Sequence, residues 1–360
     1  MATISLCMIV KNEERVLARC LDSVRDAVDE IIIVDTGSTD NTQKIAMEYT
    51  DKVYDFEWID DFSAARNFSF SKAEKDFVMW LDADDVITPE NLKLLITLKD
   101  ELDNTDAVMM KYNTAFDENG NPTFSYYRER IIRRTIPHNW VGRVHEVIVY
   151  SGKTVYSEAA VNHYSVKTHY TTRNLDIYEK QLAAGEILQP RDAFYYAREL
   201  YYHKKYDKAI DRFCDFLSDK NGWIENKIEA CKILSFCYCE ISDVDRAIEA
   251  LSKSFIYDIP RAEICCELGN LFMTLNQYEK AVYWFETALS LPQNQKNGAF
   301  VDLNSNGYLP CIQLCVCYDK LKNYELAEEY NRRAGSYRPD SSAFLQNINY
   351  FKALHQSGVF

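Results

Sequence analysis

No apolar run in this 360-residue chain approaches the ~18 residues that a membrane-crossing helix requires. The amino terminus offers only Thr3 to Val10 before Lys11-Asn12-Glu13-Glu14, too short and wrongly flanked for a signal peptide. Positive charge is in deficit. Against 55 Asp and Glu stand 41 Lys and Arg, and the net charge of -14 argues against a nucleic-acid partner and weakly against docking on an anionic membrane. The C-x-x-C spacing of zinc and redox sites is missing too. The eleven cysteines, an odd number, sit in apolar patterns such as Cys231, Cys237, Cys239, Cys265, Cys266, Cys311, Cys315 and Cys317, which reads as buried reduced thiols of a cytoplasmic protein. What remains is a folded chain, 47% hydrophobic, long enough for two domains.

Its central stretch is Phe77-Val78-Met79-Trp80-Leu81, the continuous apolar run of a strand buried on both faces, followed within four residues by Asp82, Asp84 and Asp85. Packed acids repel and resist desolvation, so this cluster requires a bound hard cation or full exposure, as in an acidic turn ahead of the helix that Pro89 opens. Earlier, Ile4 to Val10 is a strand, Leu17, Cys20, Leu21, Val24 and Val28 fall at helical spacing, and Glu30 to Val34 is a second buried strand. Such a strand-helix-strand unit is a parallel crossover, and ligands bind beyond the carboxyl ends of its strands. Three polar loops lie at those ends: KNEE, the run Asp35 to Asn41-Thr42, and DADD. Between them Asp61 to Asn67 starts a helix with Ser63 as N-cap and Arg66 on its first turn. Thr88-Pro89 opens another, reaching about Lys99, and Ala107 to Tyr112 is the next strand.

From Asp117 the character changes. Glu118 to Asn121 signals a hairpin, Arg128, Arg130, Arg133 and Arg134 gather on one stretch, and antiparallel strands fit the runs Trp140 to Tyr150 and Val161 to Tyr164. Alternation lets only half of those arginines face a site. The carboxyl-terminal half repeats. Alanines 209, 247, 281 and 327 recur at intervals of 38, 34 and 46 residues in a shared pattern, each twelve positions after a small residue, Ala197, Ser235, Gly269 and Cys315. Pro260, Pro292 and Pro339 close three units. This is the helix-pair pattern of tetratricopeptide repeats, with Asn331 in the fourth replacing a large apolar residue.

Taken together, KNEE, DTGSTDNT, ARN and WLDADD make the first ~115 residues resemble family 2 glycosyltransferases. The resemblance implies a GT-A fold, Rossmann-like α/β with a mainly parallel sheet and a small antiparallel part, here over residues 1–170. A linker helix at 171–189 and an all-α tetratricopeptide solenoid at 190–360, about four helix pairs, would follow. It also implies a nucleotide-sugar site with Val10, Asn12 and Glu13 near the base or ribose, Asp35 at the uridine, Arg66 supporting the donor pocket, and Asp82 and Asp84 on the DXD motif. Many members carry two acids where this chain has Asp35-Thr36. The segment with Val144-His145-Glu146 and Asn162-His163-Tyr164 is similar to the branch containing lipopolysaccharide-core glucosyltransferases and sublancin-type peptide S-glycosyltransferases, the latter also carrying tetratricopeptide helices.

The chemistry thus expected is metal-dependent inverting transfer of a hexose from a UDP-sugar. Mn or Mg held by Asp84 would neutralise the leaving diphosphate, with His163 as a further ligand or a structural histidine. Glu146 would take the acceptor's proton, or instead pair with Arg143 or another arginine of the basic stretch. The acceptor is expected to be a peptide or protein held by the repeats. The alternative is a lipid-linked or surface glycan, with the helices binding a partner or forming a homodimer. A non-enzymatic scaffold fits the intact acids poorly.

Overall fold

Strand β1 (Ile4–Val10) buries alternate side chains in two different cores: Ile4, Leu6 and Met8 pack on one face of a sheet and Cys7 on the other. A computed structural model describes residues 1–165, 171–292 and 301–358 and divides into two units, Met1–Leu188 and Gln189–Phe360. In the first unit β1 leads through α1 (Leu17–Val24) to β2 (Glu30–Asp35), and α2 (Thr42–Ala46) leads to β3 (Val53–Asp55). Helix α3 (Phe62–Phe70) precedes β4 (Phe77–Trp80), the short β5 (Asp85–Val86) and α4 (Pro89–Leu98). Strands β6 (Ala107–Phe116) and β7 (Pro122–Arg133) form a hairpin, β8 (His138–Val141) and β9 (Val147–Tyr150) a second, and β10 (Thr154–His163) and α5 (Arg173–Ala183) follow.

The main sheet runs β3-β2-β1-β4-β7-β6-β10-β5. Strands β1 to β4 pair in parallel, so the loops after β1, β2 and β4 open on one rim. β7 runs antiparallel to both β4 and β6. Contrary to the antiparallel expectation for Val161 to Tyr164, β10 pairs in parallel with β6 and only its end pairs antiparallel, His163 opposite Asp85. A strand inserted between β4 and β6 restores a common direction to β4, β6 and β10, which sequence alternation cannot reveal. Both faces of β4 are covered, Phe77 and Met79 against the α1 and α4 side, Val78 and Trp80 against Phe70 and Trp140, which explains its unbroken apolar run.

Helix α3 is capped by Asp61, not Ser63: the Asp61 carboxylate accepts from Ala64 N at 3.0 Å and from Ser63 Oγ at 2.7 Å. A charged acceptor at a helix amino terminus outcompetes a hydroxyl one residue into the turn.

The second unit is a series of helix pairs: α6 (Pro190–Tyr202) with α7 (Tyr206–Ser218), α8 (Ile224–Glu240) with α9 (Val244–Lys253), α10 (Ala262–Thr274) with α11 (Tyr278–Ser290), and α12 (Tyr308–Lys320) with α13 (Tyr324–Tyr337), followed by α14 (Ser342–Ser357). Every small residue and alanine of the repeat pattern is buried, and a Cβ placed on Gly269 would stand 2.7 Å from the Phe285 ring. Each pair turns on the same device. Lys204, Ser242, Asn276 and Lys322 hold positive φ five residues before the four alanines, and the amide after each returns to the helix, as from Lys205 N to Leu200 O at 2.9 Å. These are Schellman turns made without glycine. Asn331 is buried because its Nδ2 donates to Phe344 O and its Oδ1 accepts from Asn347 Nδ2 at 3.0 Å, so the polar exception fastens α13 to α14.

Candidate active site

The rim loops are cross-braced. Asn12 adopts φ +55, which asparagine tolerates better than most residues. Its amide donates to Ser38 Oγ at 2.9 Å and its Oδ1 accepts from Thr39 N at 2.7 Å. Glu13 N donates to Thr42 Oγ1 at 2.8 Å and the Glu14 carboxylate accepts from Asn41 N at 3.1 Å. Asp35, 1% exposed, spends Oδ1 on the amides of Gly37 and Ser38, at 2.7 and 2.6 Å, which shapes the loop after β2. Its Oδ2 is buried with no hydrogen-bond partner among the described residues.

The three acids after β4 are answered one by one. Asp82 accepts from Arg66 Nη2 at 2.8 Å. Burial would raise its carboxyl, but the charges of Arg66 and Arg130 outweigh that and hold it well below the usual range. Asp85, fully buried, takes Asp82 N at 3.0 Å and Arg130 Nη1 at 3.2 Å on Oδ2, and the Tyr112 hydroxyl at 2.9 Å on Oδ1. Arg130 is itself sandwiched, its guanidinium carbon 3.7 Å from the centre of the Trp80 ring and 4.2 Å from that of Tyr112. Asp84 faces His163, with Oδ1 3.4 Å from Nδ1. Burial pulls the His163 ring toward neutrality, but its hydrogen bond to Asp85 and the charges of Asp84, Asp85 and Asp82 raise its pKa overall. Asp84, Asp85 and His163 are the group among the described residues whose ligand atoms lie within 4.8 Å of one another. Carboxylate oxygen suits Mn or Mg, and an imidazole nitrogen beside it is compatible with Mn.

Arg66 is the hub of the opposite wall. Its Nε donates to Glu146 Oε1 at 2.5 Å, and its guanidinium carbon lies 4.7 and 4.8 Å from the ring centres of Trp80 and Trp140. Burial works against its charge, yet Glu146 and Asp82 raise its pKa further. Glu146 therefore pairs with an arginine, but with Arg66 on α3: Arg143 pairs with Glu186 at 2.8 Å, and Arg128 of β7 donates to the Glu146 carbonyl at 3.3 Å.

A cavity of about 570 Å³ brings together Val10, Asn12, Glu13, Arg66, Asp82, Asp84 and His163. Asp35 and Glu146 do not line it; Asp35 adjoins the lining residue Thr36 in sequence, and Glu146 is bonded to the lining residue Arg66. Sequence reasoning missed Thr36, Trp58, Phe62 and Arg173 on its wall. Trp58 and Phe62 pack edge to face at 4.7 Å, with Arg173 over Phe62 at 4.6 Å. The aromatic spacing at the start of α3 was a usable signal, whereas Arg173, 111 positions after Phe62, left none.

Residues 5–157 match the model of glycosyl transferase family 2, and residues 262–295 match a tetratricopeptide repeat. Over 108 residues the chain is 46% identical to a TPR repeat-containing protein of Synechococcus elongatus, covering 30% of this chain and 26% of that one. Over 224 residues it is 29% identical to the SPbeta prophage-derived glycosyltransferase SunS of Bacillus subtilis, covering 58% of this chain and 52% of the relative. The chain thus spans about a quarter to a half of the length of these relatives. Joined to the parallel sheet and the stacked helix pairs, these matches identify a glycosyltransferase family 2 domain fused to tetratricopeptide repeats.

Proposed function

We propose that the chain is a metal-dependent, inverting glycosyltransferase that moves a hexose from a UDP-sugar to a side chain of a peptide or protein, in the cytoplasm. The observation that carries this reading is the convergence of Asp82, Asp84, His163 and Arg66 on one cavity at the carboxyl ends of parallel strands. Asp84 and His163 would hold Mn or Mg, which supplies charge neutralisation of the leaving diphosphate. Arg66 and Asp82 fix each other on the donor side. The Asp35 Oδ2, without a partner among the described residues and paired across the sheet with the cavity-lining Val10, supports an imide N–H of uracil as its missing donor.

Glu146 is proposed as the group that accepts the acceptor's proton. Its Oε1 is held by Arg66, which orients the carboxylate, while its Oε2 makes no hydrogen bond among the described residues. Fusion to stacked helix pairs supports an extended polypeptide acceptor, because such arrays offer a long concave surface. The test is a mass-spectrometric screen of UDP-sugars against candidate peptides, with Mn and with a chelator. Transfer is expected to need the metal and to be abolished in Asp84→Ala. Undiminished transfer by that variant refutes the metal role, and sugar delivered only to lipid-linked glycans refutes the peptide acceptor.

A further inference from the structure

The four hydrogen-bond positions on Asp85 are all taken: Asp82 N and Arg130 Nη1 on Oδ2, the Tyr112 hydroxyl and His163 Nδ1 on Oδ1, the last at 3.1 Å. With its side chain 0% exposed, it turns no oxygen toward the cavity, although it adjoins Asp84 in sequence and shares its cluster. The surroundings of His163 Nδ1 are one-sided. Asp85, the carboxylate facing Arg130, can only accept there. The Tyr112 oxygen lies 2.9 Å from both Nδ1 and Asp85 Oδ1; its one proton is assigned to Asp85, because giving it to Nδ1 would leave Oδ1 facing two lone pairs with no donor, so toward the ring the hydroxyl accepts. Asp84 Oδ1, at 3.4 Å, is a third acceptor. A nitrogen surrounded by acceptors must carry the proton.

We infer that Asp85, with Tyr112 and Arg130 behind it, is a positioning residue and not a metal ligand: it fixes the neutral His163 ring with its proton on Nδ1 and leaves the Nε2 lone pair for the cavity that His163 lines. Carboxylates that orient ligating histidines in this way are the recurring outer layer of metal sites. The inference rests on the proposed metal role of Asp84 and His163, but its central claim, the tautomer, is a property of the metal-free protein. Arg130 has its place in the same device. Two of its nitrogens, Nε and Nη2, find no hydrogen-bond partner among the described residues, and its guanidinium lies between the Trp80 and Tyr112 rings, so its attachment to the network is the donation through Nη1 to Asp85 and to Trp80 O. It balances the Asp85 charge without competing for the oxygen that faces His163.

The experiment is nitrogen NMR of the imidazoles in the full chain without metal, at a pH where the ring is neutral, together with an EPR titration of MnCl2. Wild type is expected to show Nδ1–H. In Asp85→Asn the Oδ2 position must remain an oxygen, since Asp82 N and Arg130 donate there. The amide nitrogen then faces Tyr112 and His163 and drives the ring proton to Nε2, with Mn affinity falling roughly 10- to 100-fold. Tyr112→Phe, a milder change, is expected to keep Nδ1–H because Asp85 alone suffices. Nε2–H in wild type, a shifted proton in Tyr112→Phe, or an unchanged tautomer in a folded Asp85→Asn overturns the inference. Absence of Mn binding by a wild type that shows Nδ1–H supports the positioning role and refutes only the metal reading on which it was built.

Discussion

Replacing Arg66 by methionine separates two costs that a buried ion pair combines. Methionine keeps the packing between Trp80 and Trp140 but removes both donations, to Glu146 at 2.5 Å and to Asp82 at 2.8 Å. The Asp82 side chain is 34% exposed and can recover water, whereas the Glu146 side chain is 10% exposed and cannot. The loss therefore falls on Glu146, and leaving one buried charge unpaired costs about 3–5 kcal/mol. We expect the lower end, about 3 kcal/mol, because half of the pair system is rescued by solvent. Removing the orphaned charge as well, in Arg66→Met with Glu146→Met, should return the protein to within about 1 kcal/mol of wild type. A chain of two units need not unfold in one step, so the assay is native-state hydrogen exchange by mass spectrometry, read in peptides covering α3 and β4. A single variant that costs under about 1 kcal/mol, or a double variant as unstable as the single, refutes the assignment of the loss to an unpaired Glu146.

Three further outcomes follow from other parts of the chain. Glu146→Gln should bind UDP within a few-fold of wild type by calorimetry while transfer falls about 10²- to 10⁴-fold, the range for loss of a general base; loss of UDP binding would assign Glu146 a purely structural role. Lys204→Gly relieves a left-handed lysine worth about 1–2 kcal/mol but frees the unfolded chain by about 0.4–1 kcal/mol, so a small rise in the thermal midpoint is expected and a fall would contradict the turn. Gly269→Ala gains about 1 kcal/mol of helix propensity yet meets the buried Phe285 ring at 2.7 Å, an overpacking worth about 1–3 kcal/mol, so net destabilisation by thermal melting is expected.

Local pattern made the strands legible, because a run such as Phe77 to Leu81 depends only on what covers its two faces. The helix pairs were legible for the same reason, since the small residues and alanines repeat wherever two helices approach. The acid cluster was legible as a demand for counter-charge and illegible as to its source. Arg130 lies 45 residues beyond Asp85 and Arg66 lies 16 before Asp82, and only the insertion of β7 beside β4 brings the former into place. Asn331 looked like a weakness of the fourth repeat because its partner, Asn347, belongs to a helix outside the repeat pattern. Competition between neighbouring caps, as at Asp61 and Ser63, was decided by charge, which the usual preference order for caps does not encode.

The bracing of the loops after β1 and β2 has a thermodynamic consequence for any donor. Asn12, Glu13 and Glu14 are tied to Ser38, Thr39, Asn41 and Thr42 by hydrogen bonds that need no ligand. Binding at this rim would not have to pay for arresting two mobile loops, at about 0.5–1.5 kcal/mol for each side chain immobilised. Affinity there would rest on the fit to a preset shape, and a change of donor would demand remaking the brace itself, with Asn12 as its first point of failure.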